Sequence, residues 1–204
     1  MLISDSDRKR ISEAITAAEC RTSGEIVAVI AAESASYLSV PFLVASVIAL
    51  AVPWPFIFFT WFSVQSIYAL QLAVFAAALA ATLPRPVRFR LVPRSILTQR
   101  AHRRAVEQFL AQNLHTTAGR TGVLIFVSVA ERYAEILADA AIHSKVPDHT
   151  WQAIVDNMTS AIGQGRAGDG FISAIEAVGA MLAEHFPPGS ADRAELPNHL
   201  IVLD

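Results

Sequence analysis

Between Glu33 and Arg85 the 204-residue chain carries no charged side chain, and this run constrains its folding more than any other feature. From Leu38 to Leu83 the residues are almost all Ala, Val, Leu, Ile, Phe and Trp. A helix needs about 20 such residues to cross the hydrocarbon core of a bilayer, so the run has room for two spans and a tight turn. A single charge at the centre of a span costs roughly 2.5–3.5 kcal/mol, and this stretch contains none. Pro53, Trp54, Pro55 and Trp61 suit helix ends at a membrane interface better than span centres, which places the turn between Pro53 and Gln65. A hairpin buried in a soluble core is the competing reading, but the remaining chain has too little surface to cover so many apolar side chains.

Charge is distributed unevenly around this run. Residues 85–104 hold seven Arg and no acid, whereas residues 105–204 hold twelve acids and five Lys or Arg, so the formal net charge of −2 conceals a local basic block. The block follows the second span, and the turn between the spans has no Lys or Arg. The positive-inside rule then predicts that both chain ends lie in the cytoplasm. Arg85, Arg88, Arg90 and Arg94 are the expected membrane-interface residues, positioned to meet anionic lipid headgroups. Basic residues beside a span need no nucleic acid to explain them, so no nucleic-acid partner is expected. The single cysteine, Cys20, rules out an intrachain disulfide.

The flanking segments read as a small α/β domain. Ser4 and Asp7 suit the cap and first turn of a helix with Ile11, Ile15 and Ala18 at helical spacing. Ile26 to Ala31 reads as a first strand. After the apolar run, Ser95 can cap a helix carrying Leu97, Ala101, Ala105, Phe109 and Leu110 that ends before Gly119. Val123 to Val127 is a buried strand, and Ala134 to Ala138 returns from it as an antiparallel hairpin through Ala130-Glu131-Arg132. Pro147 opens a helix with Trp151, Ile154, Val155, Met158 and Ile162 on its inner face, and a last helix buries Phe171, Ile175, Val178, Leu182 and Phe186 before Pro187-Pro188. His199 to Leu203 reads either as a short strand or as a loose tail. A right-handed crossover makes the first two strands parallel. The fold class is therefore α/β, a small mixed sheet in an α/β/α sandwich with an inserted two-helix transmembrane hairpin. Residues 1–36 and 95–204 form the α/β domain, 38–83 the hairpin and 84–94 a basic juxtamembrane segment.

This topology gathers the start of the first strand, the start of the second and the end of the third along one sheet edge, with Glu25, Arg120, Thr121 and Asp139 on it and His143 and Asp148 close by. Carboxylates there suit Ca²⁺ or Mg²⁺, which prefer oxygen ligands. Helix capping by Asp148 and loop hydrogen bonding by Asp139 account for the same residues without a metal. Gly163-Gln-Gly165-Arg-Ala-Gly168 matches a dinucleotide-binding spacing, but that fingerprint requires a preceding strand, and here a helix precedes it, so a helix–helix turn is expected. Glu131 and Arg132 read as an exposed charged turn, and His102 and His115 as exposed. No Ser, His or Asp sits in a nucleophile-elbow motif. Two spans without an ionisable group argue against a transporter or a proton path.

The blocks Thr22-Ser-Gly-Glu-Ile26, Gly119-Arg-Thr-Gly-Val-Leu-Ile-Phe-Val-Ser-Val-Ala-Glu-Arg132, Ala138-Asp-Ala-Ala-Ile-His143 and Val146-Pro-Asp148 resemble, in order, those of the TPM domain family, which includes thylakoid-lumen phosphatases and photosystem-repair proteins of plants. They look closest to its bacterial membrane branch, which implies the bacterial cytoplasmic membrane as location. The resemblance covers about residues 1–36 and 95–187. It implies an α/β/α sandwich, acid phosphatase activity in some members, divalent cations at acidic loops, and assembly, repair or receptor-modulating roles in others. The chain departs from the family pattern at Thr121, where many members carry Asn or Asp, and at Ala140-Ala-Ile142, where a Gly-x-Gly is common. Glu25, Asp139 and Asp148 are the carboxylates left to hold a metal. Two functions follow as expectations: a non-catalytic accessory module for assembly or quality control, docked on the bilayer and a membrane protein partner, or a divalent-metal-dependent phosphatase.

Overall fold

The computed structural model describes residues 3–59, 61–117, 119–188 and 198–203, and the side chains of Phe59 and Asp148 lie outside the described part. In chain order the elements are α1 (Asp5–Glu19), β1 (Glu25–Ala31), α2 (Ser39–Ala51), α3 (Pro53–Phe59), α4 (Val64–Thr82), α5 (Arg85–Leu91), α6 (Arg94–Ala111), a 3-10 turn (Leu114–Thr116), β2 (Gly122–Ser128), β3 (Tyr133–Ala138), α7 (Ala140–His143), α8 (Asp148–Gly163), α9 (Ala167–His185) and β4 (Leu200–Leu203). They divide into two compact units, residues 1–34 with 99–204, and residues 35–98.

The first unit is built on a four-stranded sheet of order β3-β2-β1-β4. β1 pairs in parallel with β2, Glu25 facing Gly122, and with β4, Ala28 facing Leu200, while β2 and β3 are antiparallel. β4 thus settles the two readings of the tail in favour of a strand. β1 and β2 are buried along their whole length, as expected of strands covered on both faces. Their alternation divides the core. Ile26, Ala28 and Ile30 of β1 and Val123, Ile125 and Val127 of β2 face α1, α8 and α9 in one cluster with Ile11, Ile15, Met158, Phe171 and Ile175. Val27, Val29, Leu124 and Phe126 face the other way, towards Ala105 and Phe109 of α6. The result is the expected α/β/α layering around a mixed sheet.

The helices follow their sequence signals closely. Ser4 caps α1 by accepting the Asp7 N–H at 3.1 Å, with Asp5 and Asp7 in the positive first turn. α1 and α9 approach so closely that a Cβ placed on Gly179 comes within 2.6 Å of the Ala18 Cβ. Gly163 ends α8, and Gly165 turns the chain with φ of 79° before α9. The glycine-rich hexapeptide is therefore a helix–helix turn, and its left-handed residue is one that tolerates that conformation. α6 begins at Arg94, one residue before the position expected of a Ser95 cap, and it ends at Ala111.

In the second unit α2 and α4 pack along one another, with Ala45 and Ala49 buried. Small side chains permit such a close helix approach. Most of the expected turn is instead a short helix, α3, opened by Pro53, which extends the first candidate span to Phe58; Ser63 then caps α4 by accepting the Ser66 N–H at 3.3 Å. Ser39–Phe58 and Val64–Thr82 are long and apolar enough to cross a membrane. Only 17% of the first candidate span's most apolar window and none of the second's is buried, with Phe42, Leu43, Leu50, Ile57, Val64 and Leu72 exposed. The basic segment 84–94, expected as juxtamembrane chain without an assigned element, contains α5. Arg85, Arg90 and Arg94 are exposed. Arg88 is buried, 7% exposed. Tyr37 meets the Phe89 ring edge-on at 5.1 Å and belongs to a small cluster with Val92 and Leu97.

Candidate functional site

The sheet edge at the starts of β1 and β2 carries the residues expected there. Glu25 opens β1, and its N–H bonds the Thr121 carbonyl at 3.2 Å. The Thr121 hydroxyl donates to the Ser23 carbonyl at 2.9 Å, tying the two strand entrances together. Asp139 follows β3, and its N–H reaches Gly122 O at 2.9 Å. Its Oδ1 accepts the Ala140 N–H at 2.6 Å, capping α7, and lies 3.9 Å from the guanidinium of Arg120. Asp139 Oδ2 is enclosed and has no hydrogen-bond partner among the described residues, a costly state for a carboxylate oxygen. Arg120 has φ of 52°, in the left-handed region, and its exposed side chain reaches towards Asp139 on this edge.

Glu25 and Asp139 thus share an edge, but β2 stands between them. Two strand spacings amount to about 10 Å. Asp148 opens α8, with its side chain outside the described part, and His143 ends α7. Among the described residues no group of three or more His, Cys, Asp or Glu side chains is arranged to hold a metal ion. The orphaned Asp139 Oδ2 suits a cation, whereas Arg120 beside Oδ1 already supplies positive charge.

A second carboxylate neighbourhood lies beside the first. Glu19, in the last turn of α1, accepts the Ile26 N–H on Oε1 at 2.9 Å. Burial raises its pKa from 4.5 to about 7; the Ile26 N–H opposes that rise and the nearby Glu25 carboxylate adds to it. Nothing in the sequence singles out Glu19, which sits on a helix among exposed polar residues.

Three further groups were not legible from the sequence. Glu135, on β3, accepts the Tyr133 hydroxyl at 2.9 Å and lies 2.9–3.0 Å from Nδ1 of His102 on α6. Burial, and then Glu135, push the Tyr133 phenol above its usual range. His102 is exposed as expected but not solitary. Glu131, expected at an exposed turn, is 3% exposed. Its Oε1 accepts the Ser34 N–H at 2.8 Å and its Oε2 the Ser128 hydroxyl at 2.5 Å, fastening the exit of β1 to the end of β2. Finally, a groove of ≈ 730 Å³ runs beside β3, walled by Trp151, Gln152 and Val155 of α8. A second hollow of ≈ 470 Å³ borders Tyr133, Ala134 and Ile162.

A mixed sheet sandwiched by helices, with a carboxylate edge at the strand entrances and an apolar helical pair inserted after β1, defines a compact α/β domain carrying candidate membrane spans. The family model for the TPM domain matches residues 78–181, just over half of the chain, and the chain belongs to the TPM domain family. Among solved structures, the chain is similar to the NMR structure of the BA42 protein from the psychrophilic bacterium Bizionia argentinensis, with a TM-score of 0.62 and 21% identity over 99% of this chain and 96% of that one. At that identity the likeness concerns the fold alone. No curated protein matches the chain.

Proposed function

We propose that this TPM-domain chain is a membrane-anchored, non-catalytic accessory module that docks a membrane protein partner during assembly or quality control in the bacterial cytoplasmic membrane. The exposed apolar hairpin carries this reading. A core helix of a soluble protein buries most of its surface, whereas here 17% and 0% of the two span windows are buried, and large exposed apolar surfaces mark membrane or partner contacts. The uncharged turn and the Arg block after the second span support cytoplasmic placement of both termini, with Arg85, Arg90 and Arg94 at the headgroups. Asp139, used as a helix cap beside Arg120, supports a structural role for the acidic edge.

Anchoring is tested by membrane fractionation: the wild-type chain stays in carbonate-washed membranes, and Leu72→Arg, near the middle of α4, loses that retention through a penalty of about 2.5–3.5 kcal/mol. Cys20, the single and exposed cysteine, reports orientation. An impermeant maleimide should label it only after the membrane is opened, and labelling of intact cells overturns the orientation. Cross-linking in native membranes followed by purification should yield one discrete membrane protein; failure in every lipid and detergent condition removes the module reading.

The orphaned Asp139 Oδ2 favours a second reading, a phosphatase in which Glu25, Asp139 and Asp148 hold Ca²⁺ or Mg²⁺ to polarise a phosphate. Calorimetric titration of either ion into the full chain, with hydrolysis of a chromogenic phosphate ester, tests it. Equal binding and turnover in wild type and Asp139→Ala/Asp148→Ala protein exclude these residues.

A further inference from the structure

β3 forms one margin of the sheet, and among the described residues no strand lies beyond it. In an antiparallel ladder, residues alternate between pairs that exchange both hydrogen bonds and pairs that exchange none. The bond from Asp139 N–H to Gly122 O fixes the phase. Tyr133, Glu135 and Leu137 therefore turn their N–H and C=O groups towards β2, and Ala134, Ile136 and Ala138 turn theirs outward. An unpaired row of this kind is a template for another strand. Beside it runs the ≈ 730 Å³ groove, with Trp151 and Val155 of α8 on its wall.

The two sides of this margin differ in chemistry. Ala134, Ile136 and Ala138 pack on the α8 and α9 side, while Tyr133 and Leu137 pack on the α6 side, and the period of two puts Glu135 with them. Glu135 is the one Asp, Glu, Lys or Arg among the described residues lining the groove. The charge also selects the occupant. Two copies paired antiparallel about Ile136 bring both Glu135 residues onto one face as diagonal neighbours with backbones about 7–8 Å apart, and a charge on a margin strand discourages such self-pairing. A cationic side chain opposite Glu135 meets attraction instead, sharing the carboxylate with the Tyr133 hydroxyl and His102 Nδ1 that already touch it.

We propose that the free edge of β3 takes up an extended segment of a partner protein as an added strand, of the pattern apolar–basic–apolar, with the basic residue opposite Glu135 and the apolar residues beside Ala134 and Ile136 against the α8 wall. The inference rests on the reading of the chain as a partner-docking module and names where the partner docks. Main-chain hydrogen bonds supply affinity in this mode, and alternate side chains supply selectivity.

The test uses the full chain in detergent micelles and the peptide acetyl-Thr-Val-Lys-Val-Thr-amide. Saturable calorimetric binding is expected, with slowed hydrogen exchange at Ala134, Ile136 and Ala138. The Glu-for-Lys analogue should bind at least about fivefold more weakly, as attraction turns to repulsion across the pair. N-methylation of both valines should abolish binding without altering the protein. Ile136→Pro should abolish it too while leaving the far-UV circular dichroism unchanged, because it removes an outward N–H and no bond to β2. Absence of binding at millimolar peptide, binding indifferent to N-methylation, or sedimentation showing a dimer that Ile136→Pro dissociates overturns the proposal. A membrane partner that still co-purifies with Ile136→Pro refutes the β3 site while leaving the module reading intact.

Discussion

Replacing Glu131 by Ala tests the least expected contact in the domain. The carboxylate is buried and accepts from the Ser34 N–H at 2.8 Å and the Ser128 hydroxyl at 2.5 Å. A hydrogen bond to a charged group is worth about 1.5–3 kcal/mol. Losing these two together amounts to as much as about 6 kcal/mol, but the Ser34 hydroxyl also donates to Ser128 Oγ at 2.8 Å, and water can reach the half-buried Ser34 amide. A loss of about 3–4 kcal/mol is expected for Glu131→Ala, a large part of the roughly 5–15 kcal/mol that holds a domain together. Glu131→Gln keeps one acceptor for Ser34, and the Ser128 hydroxyl can turn to accept from the amide, so it should lose about 1–1.5 kcal/mol. The assay is native-state hydrogen exchange of the β1 amides in micelles, with the Ser34 amide as the local probe. Stability of the Ala variant within 1 kcal/mol of wild type, or Ser34 exchange unchanged, refutes the claim that Glu131 fastens the exit of β1.

Glu19 gives a pH dependence of defined sign. Its pKa rises from 4.5 to about 7 on folding, so the folded state holds the proton more tightly, and stability is lost as pH rises through that interval. The full shift corresponds to about 3 kcal/mol, and partial exposure of the side chain reduces this to about 1–2 kcal/mol. Glu19→Gln, which preserves the acceptor for Ile26, should flatten that slope and be the more stable protein above pH 7; superimposable pH–stability curves refute the assignment. Gly179→Ala should lower stability by about 1–3 kcal/mol in thermal unfolding, because the new methyl meets Ala18 at 2.6 Å. Ala18→Gly in the same chain should recover part of that loss.

Much of the scaffold was readable from residue order because its causes are local. Continuous apolar runs rich in β-branched residues mark β1 and β2, helical spacing marks α1, α8 and α9, and a handedness rule makes β1 and β2 parallel. The same reasoning placed Glu25, Thr121 and Asp139 on one edge, where they are found. It did not reach what the carboxylates do there. Asp139 is committed to the first N–H of α7 and approached by Arg120, and α7 is a four-residue helix, too short to leave a periodic signal.

By itself the sequence determined that an uncharged apolar run interrupts an α/β domain, since the solvation cost of charge and the length of a span depend on composition alone. Only the tertiary structure decided which polar groups are satisfied and by what. Ser34 and Glu131 are 97 residues apart, with the hairpin between them, and His102 and Glu135 meet between α6 and β3 across 33 residues. Such pairs exist because the sheet register and helix packing close long loops onto one another. A buried carboxylate and a solvated one have the same local sequence until that closure removes the water from one of them.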